Sequence, residues 1–460
     1  MSIKILQGSC LETLSSLEEK SVNTCVTSPP YWGLRDYGTG EWVGGDPDCP
    51  HMRTTKISKD TSTGHIGSFW KGMFEQGNVV GDAIYKSECP KCGAVRKDDQ
   101  LGLEETPEKF VENLVNVFRE VRRVLRDDGT VWLNLGDSYC GTGHKGDTKD
   151  MYFSQGSARN GQSFALNNKV EGLKSKDLVG IPWRVAFALQ ADGWYLRQDI
   201  IWHKPNPMPE SVTDRCTKAH EYIFLLSKSP KYYYDNEVIR EPIKPTTTGK
   251  ASVRESGDSK TRSKEHWGIP HEPKNVIREY EEIKGANKRS VWTVTTKPYS
   301  EAHFATYPPE LIKPCILAGC PEKVCVKCGT PYQRITSRKS DALRVDNSTL
   351  DRFGNGKAGV HRKIGGQYQK WLNENPLTTV GWEKQCNCET NETKSGTVLD
   401  PFGGSGTTAQ VASNLNRNAI LCELNPEYVE IAKGRLKHSL GMFLELEVVD
   451  KFPQPLDIKG

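Results

Sequence analysis

The chain has 460 residues, of which 36% are apolar, and a formal net charge of +4 at neutral pH. This length suffices for a large catalytic core with one or two smaller modules, and so small a net charge is only a weak hint of a polyanionic partner. No apolar run approaches the roughly 20 residues that span a bilayer, and the N-terminus lacks the regions of a signal peptide, so we expect a cytoplasmic protein without membrane contact.

Strand and helix signals alternate along most of the chain, which favours an α/β fold with a mostly parallel sheet. Residues 21–27 are typical of a short buried strand. Thr106 and Pro107 are typical of a helix start, and apolar residues then recur at helical spacing up to a predicted stop at Gly129. The next predicted elements are a strand, a helix and two strands, over residues 130–135, 181–190, 196–202 and 222–226.

The C-terminal part repeats this rhythm, with predicted strands over 397–399 and 418–422 and helices over 407–415 and 426–437. Polar segments interrupt the alternation and divide the chain. The predicted division is a core over 1–43, 102–239, 291–322 and 391–440, insertions over 44–101 and 323–390, a polar basic loop region over 240–290, and a C-terminal tail over 441–460.

A glycine-rich turn follows the strand at 397–399 and opens a helix. Glycines let a ligand approach the backbone, and a helix N-terminus offers free N–H donors. Glu423 follows about 20 residues later, where a carboxylate can accept hydrogen bonds from both ribose hydroxyls of a nucleoside. The turn is neither GxGxxG nor a phosphate-binding loop, so it favours an adenosine-containing cofactor other than a dinucleotide. The predicted cofactor residues here are Asp400, Phe402, Gly403, Gly404, Ser405, Gly406, Thr407 and Thr408.

The segment Ser28-Pro29-Pro30-Tyr31 stands at the end of the first predicted strand. Two prolines stiffen the backbone and fix the direction of their carbonyls. A base extruded from a duplex needs acceptors for its amino group and an aromatic face to stack on, and this segment offers both. Taken alone, it is more typical of a rigid strand-to-loop turn with a packed aromatic.

Together the two motifs resemble the β-class amino-methyltransferases of DNA. In that family a Ser, Asp or Asn followed by Pro-Pro and an aromatic residue is catalytic, and a D-x-F-x-G-x-G segment binds S-adenosylmethionine. The catalytic segment comes first in this chain, as in that circularly permuted class. Residues 8–14 and 194–204 resemble further family segments, although Ser9 stands where the family often has an acidic residue. A segment similar to the family's other cofactor-binding segment implies contacts from His303, Phe304, Ala305 and Pro308.

The resemblance implies a Rossmann-like S-adenosylmethionine-dependent methyltransferase fold and direct methyl transfer to an exocyclic amino nitrogen of a flipped-out base in double-stranded DNA. Ser28 Oγ and the Pro29 carbonyl would accept hydrogen bonds from that amino group, and Tyr31 would stack on the base. The serine resembles the cytosine-N4 signature, with adenine N6 as the alternative. More distant alternatives are methylation of RNA or of a protein amide, and a zinc-containing nucleic-acid-binding protein without catalysis.

A C5-cytosine methyltransferase would need a nucleophilic cysteine after a proline, and Pro314-Cys315 has that order. The C5 family places this pair downstream of the cofactor loop, whereas here it lies upstream, so we expect Cys315 to be a core residue. Basic segments over 244–289 and 337–370 indicate either phosphate contacts or solvated loops, and we expect DNA recognition over 205–300. A cognate restriction endonuclease, a prokaryotic or phage origin and the oligomeric state stay open.

Cysteines are reduced in the cytoplasm, so the 14 in this chain require another explanation than disulfides. Two sets have the spacings CxH…CxxC and CxxC…CxC, which are typical of tetrahedral structural zinc. Such a site can hold together an insertion whose core is too small to fold alone. In the first set the histidine has an ordinary surface role as its alternative. The predicted ligands are Cys49, His51, Cys89 and Cys92, and then Cys325, Cys328, Cys386 and Cys388.

Overall fold

The structure is a computed structural model that describes residues 2–33, 39–49, 51, 88–140, 170–241, 286–296, 307–337, 378–440 and 445–450. The chain divides into two compact units, the first of residues 1–232, 291–316 and 396–460 and the second of residues 233–290 and 317–395. Among the described residues, no helix combines the length and apolarity needed to cross a membrane. Most of both basic segments lies outside the described ranges.

A nine-stranded sheet forms the centre of the first unit. Its strands are β1 (Ser2–Gln7), β2 (Val22–Thr27), β5 (Leu125–Leu135), β6 (Tyr195–His203), β7 (His220–Ser227), β8 (Val291–Thr293), β13 (Thr397–Asp400), β14 (Asn418–Glu423) and β15 (Glu445–Val449). They run in the order β15-β1-β14-β13-β2-β5-β7-β6-β8. Only β7 is antiparallel to its neighbours within this sheet, which confirms the predicted α/β class with a mostly parallel sheet.

The remaining described strands form three short antiparallel pairs, and six helices complete the described elements. The pairs are β3 (Glu41–Val43) with β4 (Val95–Lys97), β9 (Val324–Cys325) with β12 (Thr393–Lys394), and β10 (Gln333–Ser337) with β11 (Thr378–Glu383). The helices are α1 (Cys10–Ser15), α2 (Pro107–Val124), α3 (Ile181–Ala191), α4 (Pro309–Gly319), α5 (Thr407–Asn414) and α6 (Pro426–Leu440).

Helix α2 begins as its sequence predicts. The Thr106 hydroxyl accepts a hydrogen bond from Lys109 N at 3.2 Å, and Pro107 occupies the first turn. The helix ends earlier than the predicted stop at Gly129, because Leu125 adopts an extended backbone and starts β5. Gly129 instead lies within β5, where a Cβ would come within 2.9 Å of the Asn23 carbonyl, so this glycine permits close strand packing rather than ending a helix. The apolar face of α2 is fully buried in the main core.

The C-terminal segment differs from its prediction as a tail. Glu445–Val449 forms β15, an edge strand parallel to β1. The sequence Leu444-Glu445-Leu446-Glu447-Val448 alternates apolar and acidic residues, which is the period-two pattern of a half-buried strand, and the prediction of a tail missed this signal.

Adjacent positions of β2 and β13 bring the two predicted motifs together. Val398 pairs with Thr24 and Leu399 with Cys25 in parallel register. The carboxyl ends of the two strands therefore meet at one edge of the sheet, where parallel α/β proteins bind ligands. The segment after β2 and the turn after β13 become neighbours although they lie at opposite ends of the chain.

Candidate active site and metal clusters

A direct hydrogen bond joins the ends of β2 and β13. Thr27 Oγ1 donates to Asp400 Oδ1 at 2.6 Å, across a sequence separation of 373 residues. Both side chains are buried, with Asp400 only 1% exposed. The residue before Ser28 and the first residue of the cofactor turn thus fix each other's positions.

Asp400 accepts hydrogen bonds at both carboxylate oxygens. Phe402 N donates to Oδ1 at 3.1 Å, and the hydroxyls of Tyr307 and Thr408 donate to Oδ2 at 2.9 and 2.5 Å. Burial raises the pKa of Asp400 to about 6, against the opposing effect of these donors. Asp400 therefore shapes the turn from within.

The glycine-rich turn has the close approaches that its composition predicts. Gly404 and Gly406 have φ values of 49° and 79°, in the left-handed region that favours glycine. A Cβ on Gly403 would lie 2.9 Å from Leu421 Cβ, so β14 packs directly under the turn. Substitution at any of these positions would deform the loop.

Glu423, at the end of β14, faces this turn. Its carboxylate accepts hydrogen bonds from Gly404 N at 2.7 Å and Asn425 N at 2.8 Å. Burial raises its pKa to about 7, partly offset by these backbone donors. The structure thus places the predicted acid beside the predicted glycine-rich turn.

Two further residues of the turn are held by a helix. Arg435, on α6, donates to Ser405 Oγ at 3.0 Å and to Thr407 Oγ1 at 2.8 Å. The Thr408 hydroxyl donates to Asp400 Oδ2 and also contacts the Tyr307 hydroxyl. These side-chain contacts fix the conformation of the turn. The backbone of the turn is then the part that can contact a ligand.

The segment after β2 is held by hydrogen bonds from Trp32 and Gly33. Trp32 is 1% exposed and donates its indole N–H to the Glu104 carbonyl at 2.9 Å, while Gly33 N donates to the Gly102 carbonyl at 2.8 Å. Ser28 is half-buried, and the described part of the chain gives its hydroxyl no hydrogen-bond partner.

Tyr31 is half-buried, and its hydroxyl donates to Glu221 Oε2 at 2.7 Å. Sequence reasoning missed Glu221, which lies in β7, 190 residues away. It also missed Tyr307, although this residue falls inside the segment predicted to bind cofactor. Neither residue has a local signal, because each acts through a partner distant in sequence.

Other predicted positions have mixed outcomes. His303, Phe304 and Ala305 lie outside the described residues, whereas Pro308 is buried just before α4. Ser9 is the N-cap of α1, where its hydroxyl accepts from Glu12 N at 3.3 Å. A capping serine satisfies a helix N–H, which gives this departure from the family pattern a structural role.

The first predicted metal set converges in space beside the β3–β4 pair. The four ligand atoms of Cys49, His51, Cys89 and Cys92 lie within 4.8 Å of one another. The Sγ atoms of Cys49 and Cys89 are 3.8 Å apart, and Cys92 Sγ lies 3.5 Å from His51 Nδ1. Tetrahedral zinc with Zn–S of about 2.3 Å and Zn–N of about 2.0 Å needs separations of roughly 3.5–3.8 Å, so these fit.

The His51 ring packs against a neighbouring aromatic side chain and does not extend into solvent as an ordinary surface histidine would. Its ring stacks on Trp42 with centroids 4.4 Å apart, and its φ of 48° is rare for a residue with a side chain. This arrangement favours a ligand role over the alternative of an ordinary surface histidine.

The second set, Cys325, Cys328, Cys386 and Cys388, also lies within 4.8 Å in the second unit. Both sets share one turn geometry. Gly93 N donates to the Cys89 carbonyl at 2.7 Å and Gly329 N to the Cys325 carbonyl at 2.9 Å, with φ values of 76° and 68°. Each CxxCG turn thus presents two thiols on one side, as a metal ion requires. Cys315 is fully buried, which confirms it as a core residue.

The sequence profile of a family described as DNA methylase matches residues 22–327 and 387–434. The match includes Ser28 to Tyr31, the glycine-rich turn and Glu423. Since it covers well over half of the chain, the chain belongs to the β-class amino-methyltransferases of DNA, enzymes that use S-adenosylmethionine.

Curated relatives agree with this membership. The Type II methyltransferase M.Cfr9I of Citrobacter freundii is 33% identical over 94% of this chain and 87% of its own length. The Type II methyltransferase M.SmaI of Serratia marcescens is 33% identical over 95% of this chain and 91% of its own length.

Solved structures show weaker likeness. The PvuII DNA methyltransferase (cytosine-N4-specific) is 14% identical, with a TM-score of 0.42 over 95% of this chain and 86% of its own. A putative DNA modification methylase of Thermus thermophilus, complexed with S-adenosyl-L-methionine, is 18% identical, with a TM-score of 0.41 over 97% of this chain and 100% of its own. At these values neither bears on the target base.

Proposed function

We propose that this enzyme methylates the exocyclic N4 of cytosine in a specific site of double-stranded DNA, by direct transfer to a flipped-out base. The observation that carries the proposal is the junction of the Ser28–Tyr31 segment with the glycine-rich turn through Thr27 and Asp400. Acceptors for a base and a binding turn for an adenosine cofactor thereby lie at one edge of the sheet. Family membership supplies the reaction class.

The cofactor S-adenosylmethionine supplies a methyl group bound to a positively charged sulfur. Phe402, the backbone of Gly403 to Gly406 and the Glu423 carboxylate are the groups we assign to holding it, and the family resemblance adds the segment His303 to Pro308. Glu423 retains acceptor capacity for ribose hydroxyls because a carboxylate has about four lone-pair sites and two are used.

Ser28 Oγ and the Pro29 carbonyl accept hydrogen bonds from the amino group of the base, and Tyr31 stacks on its ring. An exocyclic amino nitrogen is a poor nucleophile because its lone pair is delocalised into the ring. Accepting hydrogen bonds from its N–H groups would localise the lone pair for attack on the methyl group that the cofactor supplies. The new N–C bond would form as the S–C bond breaks to leave a neutral thioether, and the proton released from nitrogen would pass to water. Positioning and electrostatics therefore provide most of the acceleration.

The choice of cytosine rests on the serine at position 28, and adenine N6 is the second candidate. The chain order supports a circular permutation, since the strand with the cofactor turn is C-terminal yet lies beside N-terminal β2. The names of the relatives place them in type II systems, and we propose the same class here, with a cognate endonuclease as a candidate partner.

We also propose that each four-ligand cluster holds one structural zinc ion. The thiol and imidazole donors are ligands that zinc prefers, the four ligand atoms of each cluster lie within 4.8 Å of one another, and the two separations given for the first cluster fit tetrahedral coordination. Each ion would join two sequence segments at the two ends of an insertion.

Mass spectrometry of nucleosides tests the proposed reaction. Unmethylated plasmid DNA is incubated with enzyme and S-adenosylmethionine, digested and analysed. N4-methylcytosine is the expected product. N6-methyladenine would overturn the cytosine assignment and keep the reaction class, whereas DNA without either base, across varied sequences, would contradict the proposed function.

A further inference from the structure

Polar side chains on β5 and β7 contact the Tyr31 hydroxyl. The hydroxyl donates to Glu221 Oε2 at 2.7 Å and lies 3.3 Å from Asn134 Oδ1. The Asn134 amide in turn donates to Glu221 Oε2 at 3.3 Å and to the Tyr222 carbonyl at 3.0 Å. Two strands of the central sheet thereby hold one end of an aromatic ring that belongs to a loop.

Glu221 is itself fixed by a cation. The ammonium group of Lys204, the residue after β6, donates a hydrogen bond to Glu221 Oε1, and both side chains are mostly buried. The same ammonium lies 4.3 Å from the centre of the Trp202 ring, and Trp202 donates its N–H to the Val294 carbonyl at 2.8 Å. Glu221 therefore accepts from Tyr31 with one oxygen and pairs with Lys204 through the other, in a fixed orientation.

The Tyr31 ring also lies against the backbone at Gly136. A Cβ on Gly136, directly after β5, would lie 2.5 Å from Tyr31 Cε2. The ring is thus in contact with the backbone at Gly136 and tethered at its hydroxyl. Stacking depends on the orientation of the ring plane, which a single backbone attachment would leave free to rotate about χ1 and χ2.

We infer that Glu221, supported by Lys204 and Asn134, is a positioning residue that fixes the plane of Tyr31 for stacking on the target base. This inference rests on the proposed role of Tyr31 in base stacking. In this role Glu221 affects the base only by way of the tyrosine hydroxyl, so removing either the Glu221 carboxylate or the Tyr31 hydroxyl removes the same constraint on the ring. The reductions in rate caused by the two single changes should therefore not multiply when both changes are combined.

A double-mutant cycle with Tyr31→Phe and Glu221→Leu tests the inference. Tyr31→Phe keeps the ring and removes the tether. We expect each single variant to lower the single-turnover methylation rate about tenfold, as the loss of a hydrogen bond to a charged group predicts. The double variant should be about tenfold to thirtyfold slower, well short of the hundredfold of independent effects. Glu221→Gln should regain part of the rate, because its amide oxygen can accept from the hydroxyl.

The control is Asp128→Asn, which removes the ion pair with Arg126 at the opposite end of β5 and should leave the rate unchanged. S-adenosylmethionine affinity should be equal in all variants, because the cofactor turn lies on other strands. An active wild type whose two losses multiply to about a hundredfold, or whose Glu221→Leu variant retains full rate, would overturn the positioning role alone. A wild type that transfers no methyl group would overturn the proposed function and the positioning role with it.

Discussion

Burial gives Glu423 a pKa of about 7, so the charge on its carboxylate changes in the physiological range. In the binding role proposed for Glu423, the protonated acid has lost an acceptor for the ribose hydroxyls. Lowering the pH through 7 should therefore weaken S-adenosylmethionine binding, with a Kd about fivefold to tenfold higher at about pH 6 than at about pH 8. Calorimetric titration at several pH values measures this.

The Glu423→Gln variant separates this effect from titration of the cofactor itself. It should bind more weakly than the wild type and lack most of the pH dependence. An equal pH dependence in both proteins would show that Glu423 does not titrate in the binding reaction.

Gly136 is required by the Tyr31 ring, since a methyl group there would lie 2.5 Å from Cε2 and the ring would have to move. Its backbone is outside the left-handed region, so alanine is tolerated by the chain itself. Gly136→Ala should slow methyl transfer roughly tenfold to a hundredfold with unchanged cofactor affinity.

Gly434→Ala, an exposed position of α6 with nothing within 4 Å of the new Cβ, is the matched control. It should keep full activity and raise the free energy of unfolding by about 0.5–1 kcal/mol, because alanine favours a helix over glycine. Full activity of Gly136→Ala would mean that the position of Tyr31 does not limit the reaction.

At the scale of elements, the hydrogen bond from Thr27 to Asp400 joins β2 to β13 at the site. Thr27→Val leaves a buried carboxylate with one donor fewer. We expect a loss of about 1.5–3 kcal/mol in the free energy of unfolding, as for hydrogen bonds to charged groups. Urea denaturation of the cofactor-free protein measures it.

Thr24→Val on the same strand is the comparison. Thr24 donates to the neutral Thr130 carbonyl at 3.0 Å, so its loss should cost only about 0.5–1.5 kcal/mol. A Thr27 variant no less stable than the Thr24 variant would contradict the role of Asp400 as the organising residue of the turn.

Elements with a strong local signal were predictable from sequence, and contacts between distant elements were not. The start of α2 followed from Thr106 and Pro107, and the position of Glu423 followed from the spacing of one turn and one strand. The end of α2 depends on the pairing of Leu125 with Val22 of β2, so the helix stop predicted at Gly129 was wrong. The contact of Tyr31 with Glu221 depends on strand order, which no local pattern specifies.

At the scale of the whole molecule, the two cysteine clusters lie in separate parts of the chain, one in each compact unit, and we propose that each holds a structural zinc ion. Purified protein should contain about two zinc ions per chain. Cys89→Ser and Cys325→Ser should each lower this to about one, while Cys216→Ser, at an exposed thiol, should keep both. Elemental analysis by mass spectrometry gives the ratio. Undamaged wild-type protein with almost no zinc would refute both sites.

At one edge of the sheet, we propose that the segment after β2 acts on the base and that the turn after β13 binds the cofactor. The most direct test measures single-turnover methyl transfer and S-adenosylmethionine affinity side by side for wild type and Ser28→Ala. Transfer should fall about a hundredfold while the Kd stays within about twofold. Equal loss of both would place Ser28 in folding or in cofactor binding, and unchanged transfer would remove it from the reaction.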